Sequence, residues 1–177
     1  MLVKRLREAH VPYLLVGSFS SNLYGIPRST KDVDVVIQAK AGAVMDLSVA
    51  LGDRFEPIDQ FRFETNTGTI CQEFRIRGTT FRVELFMLSD DPHDASRFER
   101  RREESLDGET AFFPSPEDVI IWKLRWARSK DIDDIIGILL VQSLEGNLDW
   151  PYIREWCAKH GTLARLEEIV AGLPKPK

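Results

Sequence analysis

Cysteine is nearly absent from this chain of 177 residues, and its two copies, Cys71 and Cys157, stand far apart. Two isolated thiols build neither a disulfide framework nor a zinc site, so a reducing cytoplasm is the expected location. An excess of basic residues is also missing. The formal net charge is −4, which argues against a protein that coats nucleic acid non-specifically but leaves room for a local basic face. No apolar run is long enough to span a membrane. The run after Lys4, Arg5 and Arg7 is short and broken by Pro12, so no signal peptide is expected either. Internal repeats and low-complexity segments are lacking. What remains is 43% hydrophobic and 29% charged, with ten Phe and four Trp to fill cores. That suffices for one well-cored domain, with or without a helical appendage.

The densest pattern lies in residues 13–37, YLLVGSFSSNLYGIPRSTKDVDVVI. Tyr13 to Val16 reads as a buried strand that stops at Gly17-Ser18, a tight turn into a helix over 18–24 with Ser18 near its N-cap. Backbone N–H groups at such a helix start can hold a phosphate, and glycine lets it approach the main chain. Gly25-Ile26-Pro27 makes a loop, and Arg28-Ser29-Thr30-Lys31 leads into a second strand. Alternate side chains of a strand share a face, so Asp32 and Asp34 point the same way and repel. Either they sit at a solvated strand end, or a hard divalent cation with oxygen ligands relieves them.

Before and after that stretch the periodicity is ordinary. Residues 2–9 read as a short amphipathic helix, and 41–51 as a helix with Val44, Leu47 and Leu51 inward, closed by Gly52. Three strands, 61–64, 70–77 and 80–88, joined at Asn66-Thr67-Gly68 and Arg77-Gly78, suggest an antiparallel meander. Glu84 falls in the middle of the last, strongly apolar strand. It needs a partner or an ion, or else lies on an exposed face beside an arginine such as Arg82. Residues 90–108 are charge-dense, reading as a loop plus a solvated helix. The arginines between Arg97 and Arg102 form either a mixed-charge surface or a patch for an acidic substrate.

The last third reads as helical. After a linker over 112–116, Ser115 caps a helix over 116–127, with Pro116, Glu117 and Asp118 in its first turn. Lys123 falls on the same side as Val119 and Ile120, so it either snorkels outward or points into a polar cavity. A helix over about 129–142 carries Asp131 as an N-cap and Asp134 as a first-turn acid. Helices over 150–159 and 163–171 and a Pro/Lys tail follow.

Val16-Gly17-Ser18, then Asp32-Val33-Asp34, then Val83-Glu84-Leu85 on a later strand, resembles the DNA polymerase β-like nucleotidyltransferase superfamily, with its hG[GS] turn, Dh[DE] pair and third carboxylate. Arg28-x-Thr30-x-Asp32, Asp118-x-x-x-x-Lys123 and Arg128-x-x-Asp131-x-x-Asp134 resemble the AbiEii-type toxins of type IV toxin–antitoxin systems. The likeness covers residues 11–142, and the last two helices match nothing named. It implies an α/β (α+β) fold: a nucleotidyltransferase core of mixed β-sheet flanked by helices over 1–111. A helical C-terminal subdomain over 112–177 would pack on that core, with nucleotide bound in the cleft.

The reaction implied is transfer of an NMP from an NTP to an acceptor hydroxyl, with a tRNA end or a protein side chain as acceptor and a cognate antitoxin as partner. Asp32, Asp34 and Glu84 would be catalytic and hold Mg²⁺ or Mn²⁺. Gly17, Ser18, Arg28, Thr30, Lys123 and Asp131 would bind the nucleotide. Glu84 departs from the aspartate more usual at the third position, and a shifted third acid would fit an inactive member. The rivals are an aminoglycoside-type small-molecule transferase, with Asp90, Asp91 and Asp94 as an acidic acceptor pocket, and a nucleotide-binding partner protein without turnover.

Overall fold

The computed structural model describes residues 1–39, 43–58, 61–65, 68–106 and 108–174. The chain divides into two compact units, one of Met1–Phe19 with Ser29–Pro114 and the other of Ser20–Arg28 with Ser115–Lys177. The class is the α/β one expected, a mixed sheet with flanking helices. Among the described residues no helix is long and apolar enough to cross a membrane.

The first unit is organised by a six-stranded sheet. Its strands are β1 (Tyr13–Leu15), β2 (Asp32–Ile37), β3 (Phe55–Pro57), β4 (Arg62–Glu64), β5 (Thr69–Ile76) and β6 (Arg82–Met87). Their order is β1-β2-β6-β5-β3, with β4 also pairing β5. The β2–β6 pair is parallel, and the neighbouring pairs are antiparallel. Tyr13, Leu14, Leu15, Val35, Ile37, Val83 and Leu85 are almost fully buried, as a sheet packed on both faces requires. On one face, Leu14, Val16 and Val36 form an apolar cluster with Phe98. Helix α1 (Leu2–Glu8) buries Leu6, and α3 (Ala43–Leu51) buries Leu47 and Leu51. The predicted start of that helix at Ala41, the Val44 side chain, the turn residues Asn66 and Thr67 and the 175–177 tail lie outside the described residues.

The stretch 90–108 departs from its sequence reading. Asp91 caps α4 (Pro92–Glu99) by accepting from the His93 N–H at 2.8 Å. This helix is not solvated: His93, Asp94, Arg97 and Phe98 are all buried. Arg97 pairs with Asp94, which also accepts from the Ser89 hydroxyl. An internal ion pair thus disguises a core helix as a surface one. Strands β7 (Arg102–Leu106) and β8 (Glu109–Phe113) then form a hairpin where a loop and linker were expected. Arg101 stacks its guanidinium 4.7 Å from the Phe98 ring centroid and 5.2 Å from that of Phe112, while Arg100 and Arg102 stand exposed.

The second unit contains the end of α2 (Gly17–Tyr24), together with α5 (Pro116–Trp126), α6 (Ser129–Glu145), α7 (Trp150–Lys159) and α8 (Leu163–Gly172). The Ser115 hydroxyl caps α5 by accepting from the Asp118 N–H, and Ala127 ends it in the left-handed conformation at φ 49°. Tyr24, Ile120, Leu124, Ile135, Leu139, Ile153 and Leu166 share one core. The loop after α2 lies so close to α6 that glycine is needed on both sides. A Cβ on Gly25 would stand 2.8 Å from the Ile138 nitrogen, and one on Gly137 3.1 Å from the Ile26 nitrogen. Backbone cannot yield as a flexible side chain can. Gly25→Ala should therefore destabilise the protein by about 1–3 kcal/mol in urea unfolding, the range for overpacking; a change under about 0.5 kcal/mol would contradict this contact.

Candidate active site

In the first unit the alternating pattern of β2 becomes a row of acids. Asp34 pairs in register with Glu84 on β6, and Glu84 with Glu73 on β5. Asp32 pairs with Arg82 on the same face, one pleat away. Adjacent strands lie about 4.8 Å apart, so three carboxylates stand side by side across the middle of the sheet. Like charges directly opposite one another destabilise a sheet.

The surroundings partly offset that repulsion. Arg62 reaches from β4 with one Nη 3.1 Å from Glu84 and the other 3.3 Å from Glu73. Arg82 Nε stands 3.5 Å from Asp32 Oδ1, a buried oxygen that accepts no hydrogen bond. Thr30 fixes the start of β2: its hydroxyl donates to the Asp32 carbonyl at 3.1 Å and accepts from the Asp32 N–H at 3.3 Å. Gly17 opens α2 at φ +61°, pressed so closely against Asp34 that any Cβ would overlap the carboxylate Oδ2. Ser18 follows in the first turn, largely buried. Burial pushes the Glu84 carboxyl up, the charge of Asp34 adds to the rise, and Arg62 opposes it.

Arg28, Lys123 and Asp131 belong to the second unit, where they meet residues that periodicity had treated as ordinary. Lys123 is buried and does not snorkel: its Nζ lies 2.7 Å from Asp134 and 3.4 Å from Asp131. Arg28 forks onto Asp134 at 2.7 and 2.9 Å, and the Ser21 hydroxyl donates to the same carboxylate at 3.3 Å. Arg128 Nε holds Asp131 at 2.6 Å. Asp131 is not the N-cap of α6. It sits in the first turn and accepts from the backbone N–H of Arg128, the capping residue, at 3.2 Å. Asp118 is buried, accepting from the Ser115 hydroxyl at 2.8 Å and the Tyr152 hydroxyl at 2.7 Å. Lys123, Arg28 and Arg128 thus surround the two buried acids, and the charge of Asp133 also acts on Arg28, so cations and carboxylates are close to balanced.

Burial would raise Asp131 and Asp134, but their cationic partners outweigh it, and both carboxyls lie below the ordinary aspartate value. Lys123 and Asp131, singled out in the sequence, thus come together, whereas Asp134 looked like a helix-start acid. Its position in Arg128-x-x-Asp131-x-x-Asp134 was the available signal. Arg62 and Glu73 carry no sequence signal, since only strand register brings them to Glu84.

The chain belongs to the family described as a nucleotidyltransferase of unknown function (DUF6036), whose model matches residues 2–169. It is similar in fold to the antibiotic-resistance factor ANT(2″)-Ia, at 12% identity and TM-score 0.60, covering 94% of this chain and 91% of that one. An antigenic nucleotidyltransferase-like protein from Paracoccidioides brasiliensis matches at 20% identity and TM-score 0.57, over 99% of this chain and 91% of that one. The lincosamide antibiotic adenylyltransferase LnuA, in its lincomycin-bound form, matches at 11% and 0.54, over 77% and 91%. No curated protein sequence matches significantly.

Nucleotidyltransferase folds imply a divalent cation, and the acid row suits one in kind. Carboxylates are hard oxygen donors, Asp32 and Asp34 share a face, and Asp32 Oδ1 is a buried acceptor without a hydrogen bond. Among the described residues, however, no three His, Cys, Asp or Glu side chains are gathered closely enough to ligate one ion. The Glu84 carboxylate is held by Arg62 instead.

The two shifted sets respond to pH with opposite signs. A raised carboxyl opposes folding once ionised, so Glu84→Gln should raise the metal-free Tm at pH 7 by about 2 °C, a gain that disappears near pH 4. A lowered carboxyl stabilises above its unfolded value. Asp134→Asn should therefore cost about 3 kcal/mol in urea unfolding at pH 7, by leaving buried cations underpaired, and progressively less below pH 4. A Glu84→Gln variant less stable at pH 7, or an Asp134→Asn loss independent of pH, would contradict these assignments.

Proposed function

We propose that this chain transfers an NMP from an NTP to an acceptor hydroxyl and releases pyrophosphate. The carrying observation is the carboxylate row Asp34–Glu84, with Asp32 one pleat away, set against the glycine turn that opens α2. Asp32 and Asp34 would hold Mg²⁺ or Mn²⁺, with Glu84 as third ligand, and the metal would supply stabilisation of the attacking and leaving oxygens of an in-line displacement. Gly17 and Ser18 hold the triphosphate through backbone N–H groups and the serine hydroxyl. Thr30 sets where β2 begins and so where Asp32 points. Where it does not ligate the metal, Glu84 would instead serve as general base for the acceptor hydroxyl. Lys123 and Arg28 offset charge on the phosphates, and Asp131 orients the lysine. The nucleotidyltransferase core assigned to residues 1–111 corresponds to the first unit, except that residues 20–28 belong with the helical unit assigned to 112–177.

The AbiEii-like pattern around Lys123 and Asp131 supports an RNA or tRNA end, or a protein side chain, as acceptor, and a cognate antitoxin as partner. A small-molecule acceptor is the second reading, favoured by the fold likeness to ANT(2″)-Ia, known in complex with adenylyl-2″-tobramycin, and to LnuA. It is weakened by the loss of the acidic pocket. Asp94 is buried against Arg97 and Ser89, and Asp91 caps α4. A nucleotide-binding partner without turnover is separated from both by its failure to consume NTP.

Incubation with the four α-labelled NTPs and Mg²⁺ or Mn²⁺ should move label into the acceptor class, be it RNA, protein or small molecule. Asp32→Asn with Asp34→Asn should cut that transfer at least about a hundredfold, with Tm unchanged or higher because repulsion is relieved. Unfolding of the double variant, or undiminished transfer, would overturn the assignment.

A further inference from the structure

The acid row already has a cation. We propose that Arg62 is its resident counter-ion, a tethered guanidinium that holds Glu84 when no divalent cation is bound and must let go before one can be ligated. This rests on the metal-pair reading of Asp32 and Asp34 given above.

Register explains why Arg62 is in place. It pairs with Cys71, which pairs with Phe86, so on the shared face Glu73 and Glu84 are its diagonal neighbours, within reach of a long side chain. Its two terminal nitrogens divide between them, at 3.3 Å and 3.1 Å, and one lies 3.7 Å from the Cys71 sulfur. The carboxylates are mostly buried, at 19% side-chain exposure each, but Arg62 is 47% exposed. Its strand has three residues and, among the described residues, pairs with β5 alone. Acids and arginine all stand on sheet strands, but the long arginine side chain is the more exposed, so of the two partners it is the one able to turn away.

The charge balance points the same way. Asp32, Asp34, Glu73 and Glu84 share the face with Arg62 and Arg82, which are ion-paired to them, and with Arg75, which register sets opposite Arg82, so one negative charge stays in excess among these residues. A divalent cation is drawn to that excess, and Arg62 competes with it at Glu84 only. Asp32 and Asp34 would take the cation first, and Glu84 would join once Arg62 turns to Glu73 or to solvent. Arg62 is thus a positioning residue: it decides when the third carboxylate is available.

The test is Mn²⁺ binding to the intact protein without NTP, read from the electron paramagnetic resonance signal of free Mn²⁺. Arg62→Met keeps the apolar stem and removes the competitor. Mn²⁺ should then bind about two- to fivefold more tightly, the range an exposed ion pair is worth, with Arg62→Lys in between. The metal-free Tm should fall, and the Mn²⁺-induced rise in Tm should grow. In the wild-type protein, the Arg62 Nε–H resonance, assigned by its loss in Arg62→Lys, should move toward that of a solvated arginine as Mg²⁺ is added. Unchanged or weaker Mn²⁺ binding by Arg62→Met, with binding still lost in Asp32→Asn, would overturn the role of Arg62 and leave the metal site standing. Mn²⁺ affinity unaltered by Asp32→Asn would overturn the metal-pair reading and this inference with it. An unmoved Arg62 resonance would do so for Arg62 even if Arg62→Met failed to fold.

Discussion

Repulsion between carboxylates, fixed by strand register, governs the first unit. The parallel pairing of β2 with β6 sets Asp34 beside Glu84, and the antiparallel pairing of β6 with β5 sets Glu84 beside Glu73. None of the three can move away without slipping a strand, and a one-residue slip would turn Val35 and Leu85 from the core to the opposite face. Apolar burial at one end of β2 thus enforces an unfavourable charge arrangement at the other. A sheet that carries such a cost in its middle has a use for it, and a bound cation is the use the chemistry suggests.

The second unit solves the reverse problem. Asp131 and Asp134 are buried and held ionised by Lys123, Arg28 and Arg128. Removing any one partner leaves charge uncompensated in a site shielded from water, which is why such clusters tolerate substitution poorly. The charges there are close to balanced, whereas the sheet of the first unit carries a negative surplus.

Much of this was readable from residue order. Apolar runs and alternation placed β1, β2, β5 and β6 with ends shifted by one or two residues, and a cap with a proline placed α5, whereas β3 was not foreseen. Asp-x-Asp and Gly-Ser could be placed because strand and turn geometry are local. The solvated helix expected over part of 90–108 failed because charge composition cannot distinguish a surface helix from one whose Asp94 and Arg97 neutralise each other inside. Hairpin β7–β8 was missed because Glu103, Glu104 and the exposed residues of β8 mask its alternation. Snorkelling and cavity were open alternatives for Lys123, since helical phase fixes a side and not a partner. Arg62 was invisible for a deeper reason: its meaning depends on register across two strand pairs, which no local pattern encodes.

The most direct measurement is Mn²⁺-induced paramagnetic broadening of the amide resonances of isotope-labelled protein at substoichiometric metal. Broadening should be strongest at Gly17, at residues 32–34 and at Glu84, and weak at the acidic hairpin residues Glu103 and Glu104. Broadening centred on that hairpin, or spread evenly over the acidic surface, would contradict a metal site on the β2–β6 pair.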